Sequence, residues 1–478
     1  MFKWKSSSRF SVALGLGLAI CIASRVCAEQ PAAIDDQHIN GPLPGELVVH
    51  EWGTFTSFSG SNGVQLDFRP LIDNDLPEFV YDRLLQSGTP TFSKSRIRAR
   101  VRMETPVTYF YTDQERTVRA SVEFPQGLLT EFYPPVVSML PAPDKSMDEA
   151  KPPGNSKLDW GEIDLIPAHV LAPSVKDVKT KKWMQSLVEQ RILPHDDANG
   201  NHYYRARETD SAFVHIRLNP PKSEPRAPSG DFIEKFLFYR GVGRFDQPLN
   251  VSVADDGKIT VANTGKQTIR SLFRVTVDGE MITLSMLDQL ATGAHVDFPK
   301  EERQVNTGDL QKMIADALMK EELYPKEASA MVNTWADSWF TEQGTRIFYM
   351  LPREVTDSLL PLTITPTPDK SVRVLVGRVE IMTPTVEKQL LEVVRLQAQH
   401  RAVLIKRQVE LQQQNPIKIP IPAPLVKLGR LAEPALVRIR ELAKDEAVRR
   451  EADTLLTECR VALDKKGRLG PAISAIPR

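Results

Sequence analysis

The sequence predicts a mainly β protein, built from antiparallel β-sandwich modules, whose C-terminal third is α-helical. Three observations carry this reading. Short runs of β-branched and aromatic residues, bounded by Pro, Gly, Asp or Asn, recur from residue 47 to residue 298. Asp-Gly and Asn-Thr-Gly turns separate alternating segments after residue 249. Long segments with helical spacing of apolar residues follow Pro299. The 478 residues, 41% hydrophobic and 26% charged, supply apolar material for two or three domains and exclude a disordered chain. Proline (36) outnumbers glycine (25), which suits strands and rigid turns. Neither GxGxxG nor a Walker-type loop occurs, so nucleotide-dependent enzymes are not the first expectation.

Residues 1–28 read as a signal peptide. They carry Lys3, Lys5, Arg9 and Arg25 with no acid, and residues 11–23 are nearly all apolar or small, a stretch too short to span a membrane. Val26 and Ala28 occupy the −3 and −1 places of a signal-peptidase site. The expectation is export, cleavage near Ala28, a periplasmic or extracellular location, and no membrane span after cleavage. Cys21 and Cys27 leave with that segment, so no intramolecular disulfide is expected, and Cys459 sits among Leu455, Leu456 and Leu463 as a structural thiol. The remaining chain has net charge −4, divided between +7 in residues 384–478 and −11 before them. With so acidic a body, nucleic acid is not an expected partner.

Residues 29–45 form a polar linker, and residues 46–248 a β-rich sandwich domain. Within it residues 47–58 (LVVHEWGTFTSF) read as one strand, residues 73–86 as a turn and short helix, and residues 101–111, 118–124, 158–166, 212–218 and 234–239 as further strands. Residues 249–300 alternate LNVSV, KITVAN and SLFRVTVDG around turns at Asp255-Asp256-Gly257 and Thr264-Gly265, and resemble an immunoglobulin-like β module. Residues 301–383 are mixed α/β. Their helices cover 309–321 and 326–343, the second with Pro325 in its first turn and Met331, Trp335 and Trp339 on one face; strands at 346–350 and 372–381 follow. Thr383-Pro384 opens a long helix in 384–416, and 417–424 (IKIPIPAP) is a Pro-rich linker. Residues 425–465 resemble one HEAT-type helical repeat, with a tail at 466–478. A single repeat cannot bury its apolar face, so it must pack on the long helix, on the body or on a partner.

Chemistry has few places to sit. His50 and Glu51 are the first catalytic candidates, but neighbours on a strand face opposite sides, so either would need a partner such as His215 or Glu104 from another strand; Glu208 is a further candidate. A satisfied strand-end histidine is the simpler reading of His50. Asp197, Asn199, Asn201 and Glu208 echo the spacing of a calcium loop, yet His202 stands where such a loop needs glycine. No metal site and no cofactor are expected. In HYYRARETD, alternation would place Arg205 and Arg207 on one face, and with Trp52 and Tyr203 they are the candidates for binding a carboxylate or a sugar; lacing neighbouring strands with ion pairs is the alternative. HExxH and GxSxG are absent.

The segments HEWGTFTSF, METPVTYFY, VEFPQGLLTEFYPP and EKFLFYRGVG together resemble an uncharacterised family of exported bacterial proteins, over most of residues 47–384. The resemblance implies a grouping and an exported location, and no mechanism. The expected function is an exported cell-envelope binding or scaffold protein, with a protein partner on the C-terminal helical repeat and a glycan as a further ligand. The alternative is a hydrolase or lyase acting on envelope or extracellular polysaccharide.

Overall fold

The computed structural model describes residues 41–68, 76–83, 97–141, 154–171, 187, 192–196, 201–220, 228–300, 302–412 and 419–466. Its strands, in chain order, are β1 (Val48–Ser59), β2 (Tyr81–Asp82), β3 (Val101–Tyr111), β4 (Arg116–Phe124), β5 (Gly127–Tyr133), β6 (Ser138–Leu140), β7 (Ser156–Ile166), β8 (Phe213–Leu218), β9 (Gly230–Glu234) and β10 (Leu237–Gly243). There follow β11 (Leu249–Val253), β12 (Ile259–Asn263), β13 (Ile269–Asp278), β14 (Met281–Leu290), β15 (His295–Asp297), β16 (Arg303–Val305), β17 (Gly344–Met350), β18 (Leu362–Thr365) and β19 (Lys370–Ile381). The helices are α1 (Ala168–Leu171), α2 (Asn201–Arg205), α3 (Thr307–Lys320), α4 (Pro325–Thr334), α5 (Ala336–Phe340), α6 (Arg353–Leu359), α7 (Pro384–Glu410), α8 (Ala423–Lys427), α9 (Ala432–Leu442) and α10 (Glu446–Lys466).

Among the described residues the strands form three sheets. The largest has ten strands in the order β16-β14-β13-β17-β19-β1-β3-β10-β5-β2, antiparallel except for the parallel β1·β19 pair at its middle. A second sheet runs β18-β4-β7-β8-β9 with β6 on β7, and a third runs β11-β12-β15. The two smaller sheets cover one face of the large one: Val49, Phe55 and Leu375 share a core with Trp160 and Ile163 of β7 and with Val251 and Val261 of the third sheet. Helices α3, α4 and α5 cover the other face, where Leu310, Ile314, Met331 and Trp339 pack on Val275, Phe348 and Val374. Every residue of β1 and of β3 is buried, as strands between two layers must be, which is why they read as runs and not as alternation.

Local chemistry starts the helices of that layer. The Asn306 side chain accepts from Asp309 N at the head of α3, and Pro325, which has no amide hydrogen to satisfy, opens α4. The single helix expected over 326–343 is instead two, α4 and α5, separated at Trp335, with Met331, Trp335 and Trp339 all buried.

The expected fold class does not hold. A sandwich of antiparallel modules with a helical C-terminal third is replaced by a mainly β chain whose helices are spread along its length. Helices α3 to α6 lie between β16 and β18 in the chain, and β17, β18 and β19 fall in the C-terminal third, with β19 at the centre of the main sheet. The strands of residues 249–300 also divide: β11, β12 and β15 form their own sheet, whereas β13 and β14 join the large one. Hairpin signals fix the partner across a turn, as at Gly257 (φ +82°) between β11 and β12, but they do not say which sheet a hairpin enters.

The C-terminal helices close a core of their own. Leu390 and Val394 of α7 pack with Leu436 and Ile439 of α9 and with Leu455, Leu456 and the buried Cys459 of α10. Thr383 caps α7 by accepting from Val386 N, and Arg401 ties it to Glu451 (2.7 Å) and Glu458 (3.0 Å) of α10. Glu387 joins this unit to the body, accepting from Ser61 N (2.9 Å) and Arg438 Nε (2.8 Å).

Candidate functional site

The helix-covered face of β1 and β3 holds the first of the polar candidates. His50, fully buried, lies with its Nδ1 2.7 Å from Glu327 Oε2 at the start of α4. The same carboxylate accepts from the Tyr111 hydroxyl (2.8 Å) and from the amide of Tyr324 (2.9 Å). The His50 ring packs 4.3 Å from that of Tyr324 and edge-on to Tyr111. Burial, with the charge of Glu327 adding to it, holds the Tyr111 hydroxyl well above its ordinary pKa, so it stays a donor to the carboxylate. A carboxylate that orients an imidazole is the arrangement of a general base. Here, however, Nε2 of His50 is buried and has no hydrogen-bond partner, so the pair braces β1 against α4 and meets no solvent. Beside it opens a pocket of about 190 Å³ lined by Tyr111, Asp210, Tyr324, Pro325 and Lys326, with Lys326 Nζ 2.6 Å from Asp210 Oδ1.

Glu51 points to the opposite face, as strand alternation requires. Its Oε2 accepts from Arg373 Nε (2.7 Å), and its Oε1 from Thr108 (3.1 Å) and from the Tyr239 hydroxyl. Arg373 also reaches Asp357 (2.8 Å) on α6. Trp52 returns to the helix side, buried at 6.1 Å from the Tyr109 ring. The sheet thus separates the two adjacent candidates into two networks.

HYYRARETD is not a strand. Residues 201–205 form α2, which rolls the fully buried Tyr203 into the core against Phe236 and Phe238 and removes the alternation that was to pair Arg205 with Arg207. Arg207 is buried, donating to Glu234 from Nε (2.9 Å) and Nη2 (2.6 Å) and lying 5.0 Å from the Tyr204 ring centroid. Tyr203 donates to the same carboxylate (3.0 Å). Arg205, half-exposed, pairs with Glu208 (3.0 Å), and His215 pairs with Asp231 (2.8 Å) at the exposed side of the second sheet. His50, Glu51, His215 and Glu208 therefore have four different partners and share no cleft. Asp197 and Asn199 lie outside the described residues, and Asn201 is the first residue of α2. Among the described residues no three His, Cys, Asp or Glu converge as metal ligands.

Sequence reasoning missed Glu327 and Lys235. The signal for Glu327 was its place two residues after the Pro that opens α4, where a carboxylate reaches back to the preceding amide. Lys235 is fully buried between β9 and β10, donating to the Ser211 carbonyl with Nζ 4.6 Å from the Phe213 ring centroid. Its signal was a Glu-Lys pair set in an aromatic and aliphatic run, FIEKFLFY.

Burial pushes the Lys235 ammonium down to about 7, helped by Lys326 and opposed by Asp210 and Glu234. An unfolded lysine titrates near 10.4. Between about pH 7 and 10 the unfolded chain then binds a proton that the folded chain lacks, so stability should rise with pH by up to about 1.4 kcal/mol per unit. Above about pH 10 the sign reverses, because burial keeps Tyr109, Tyr111 and Tyr203 protonated while their unfolded counterparts ionise. Urea unfolding across this range should show the rise, and Lys235→Met should flatten it; a Lys235→Met protein that climbs as steeply as the parent would refute the assignment.

No family model matches the chain, and no curated protein matches it significantly. The functional reading accordingly rests on the residues themselves.

Proposed function

We propose that the protein is an exported binding or scaffold protein of the cell envelope, and that its partner is another protein held by the distal half of α7. The observation that carries this is the distribution of exposed apolar side chains. Five of the ten large exposed hydrophobic residues among those described are Leu396, Val403, Ile405, Val409 and Leu411, with Val403 64% and Val409 72% exposed. At 100° per residue Leu396 and Val403 share one side of the helix and Ile405 and Val409 the opposite side. The proximal half of α7 is covered by α9 and α10, but this half offers apolar surface on two sides, which suits insertion between two elements of a partner and not adhesion to a flat surface. Arg395 pairs with Glu392 (2.6 Å) and Lys406 with Glu410 (3.9 Å) along it, so the rim that the partner meets is mixed in charge. The dispersal of His50, Glu51, His215 and Glu208 onto separate partners supports a binding role over the hydrolase or lyase alternative.

The test is Val403→Glu with Val409→Glu, two exposed positions where charge costs the fold little. A protein that co-purifies with the mature chain from envelope extracts should, once purified, bind it directly and lose at least tenfold in affinity to the double variant, with melting unchanged. Equal affinity for parent and variant, or light scattering that shows the chain itself as the occupant of this helix, would overturn the proposal.

A further inference from the structure

A second cavity, of about 310 Å³, lies where the ends of β1 and β19 meet the third sheet, and none of the candidates above belongs to it. Gln247, in the link between β10 and β11, is 6% exposed and forms part of its wall. The side-chain oxygen of Gln247 accepts from the Tyr349 hydroxyl, which fixes the amide plane; its nitrogen is buried without a hydrogen-bond partner among the described residues. Leaving such a donor unmet costs about 1–3 kcal/mol, so an amide held in this way in the wall of a cavity marks a place for an acceptor.

The rest of the wall says what kind of acceptor. Ser57, Ser59, Gln65, Asn250 and Thr264 bring hydroxyl and amide oxygens, with Ser59, Gln65, Asn250 and Thr264 each donating to a backbone carbonyl, whereas Phe58, Leu249, Val251 and Val379 bring apolar surface. Among the described residues Asp246 is the one charged member of the lining, and no Lys, Arg or His joins it. An anion would meet a carboxylate whose cation, Arg100, stands outside the lining and is shared with Asp67. A metal ion would find one highly exposed carboxylate, already 2.9 Å from Arg100. What matches neutral donors and acceptors beside aliphatic and aromatic carbon is a ring with hydroxyls at its edge and C–H groups on its face. The volume is at the lower end for small-molecule sites.

We propose that this cavity binds a neutral, hydroxyl-rich ligand of the sugar class, with the Gln247 amide nitrogen donating to one of its oxygens. The site is built, not incidental. Gly63 (φ +79°) lets the 60–65 loop press on Asn250, whose Nδ2 donates to the Gly63 carbonyl (2.7 Å); a Cβ on Gly63 would come within 2.7 Å of the Asn250 side chain. Glu387 of α7 clamps the same loop through Ser61. The proposal is independent of the partner surface on distal α7, since it uses none of those residues.

The experiment is saturation-transfer NMR on the mature chain with glucose, N-acetylglucosamine and their β-1,4-linked disaccharides, and with inorganic phosphate as the control. At least one sugar should receive saturation and phosphate none. Two variants locate the site. Gln247→Leu with Tyr349→Phe removes both partners of one hydrogen bond, leaving no new unpaired group, and Ser57→Leu adds bulk to the wall; each should lower the sugar signal at least fivefold while far-ultraviolet dichroism stays that of the parent. No transfer to any of the four sugars, transfer to phosphate as strong as to sugar, or a sugar signal that survives the Gln247→Leu/Tyr349→Phe exchange would overturn the assignment.

Discussion

Glu51→Ala is expected to destabilise the protein by about 3–5 kcal/mol, the cost typical of stranding one charge of a buried ion pair. Arg373 would be the stranded group. It is buried, with its Nη2 2.6 Å and its Nε 2.7 Å from the Glu51 carboxylate, and Asp357, half-exposed at the edge, is its remaining anion. Burial alone would weaken the Arg373 charge; Glu51, the Tyr239 hydroxyl and Asp357 together hold the guanidinium above its ordinary range. Removing Glu51 also strips the acceptor from Tyr239 and Thr108. The pair need not be a net gain over apolar residues, so Glu51→Leu with Arg373→Met should recover most of the loss. Denaturant midpoints for the two single variants and the double variant check this. If the double variant is as unstable as the sum of the singles, the two side chains are not coupled and the network described here is wrong.

Gly377→Ala is expected to cost about 3 kcal/mol, near the top of the range for overpacking a core. Gly377 sits in β19 directly opposite Tyr349 of β17, and the tyrosine ring lies flat across it: an added Cβ would come to 2.1 Å from Cε1 and Cζ of that ring. The ring cannot simply swing away, because its hydroxyl is held by Gln247 and both strands are internal to the sheet. Gly377→Ala with Tyr349→Leu should regain much of the loss by vacating the space, at the expense of the Gln247 contact. A melting temperature for Gly377→Ala within a degree or two of the parent would show that the ring is not seated there.

Much of the strand content was legible because strand runs such as 101–111 and 158–166 are marked by their own residues and by the turns that bound them. The split of His50 from Glu51 was legible for the same reason, since alternation is local. Their partners were not. Glu327 lies 277 positions from His50, and Arg373 lies 322 from Glu51; nothing in the spacing of either pair records that they meet. HYYRARETD misleads in the other direction: its alternation of Arg205 and Arg207 suits an extended segment, whereas the need to bury Tyr203 and to pair Arg207 with Glu234 selects one turn of helix. The helices of residues 425–465 were legible from their apolar spacing, and the sequence could narrow their packing only to three choices, of which the core with Leu390 and Val394 is the one formed.

The parallel join of β1 to β19 also dictates the order in which the main sheet can be completed. β1 finds β3 on one side soon after synthesis, but its other edge waits for residues 370–381, after nearly every other strand has been made. Until then the edge of a twelve-residue strand stands open at what will be the middle of the main sheet, a slow closure of long sequence separation and an invitation to pair with the wrong chain. For this protein the centre is finished last, and the hazard of its biogenesis is concentrated in one strand.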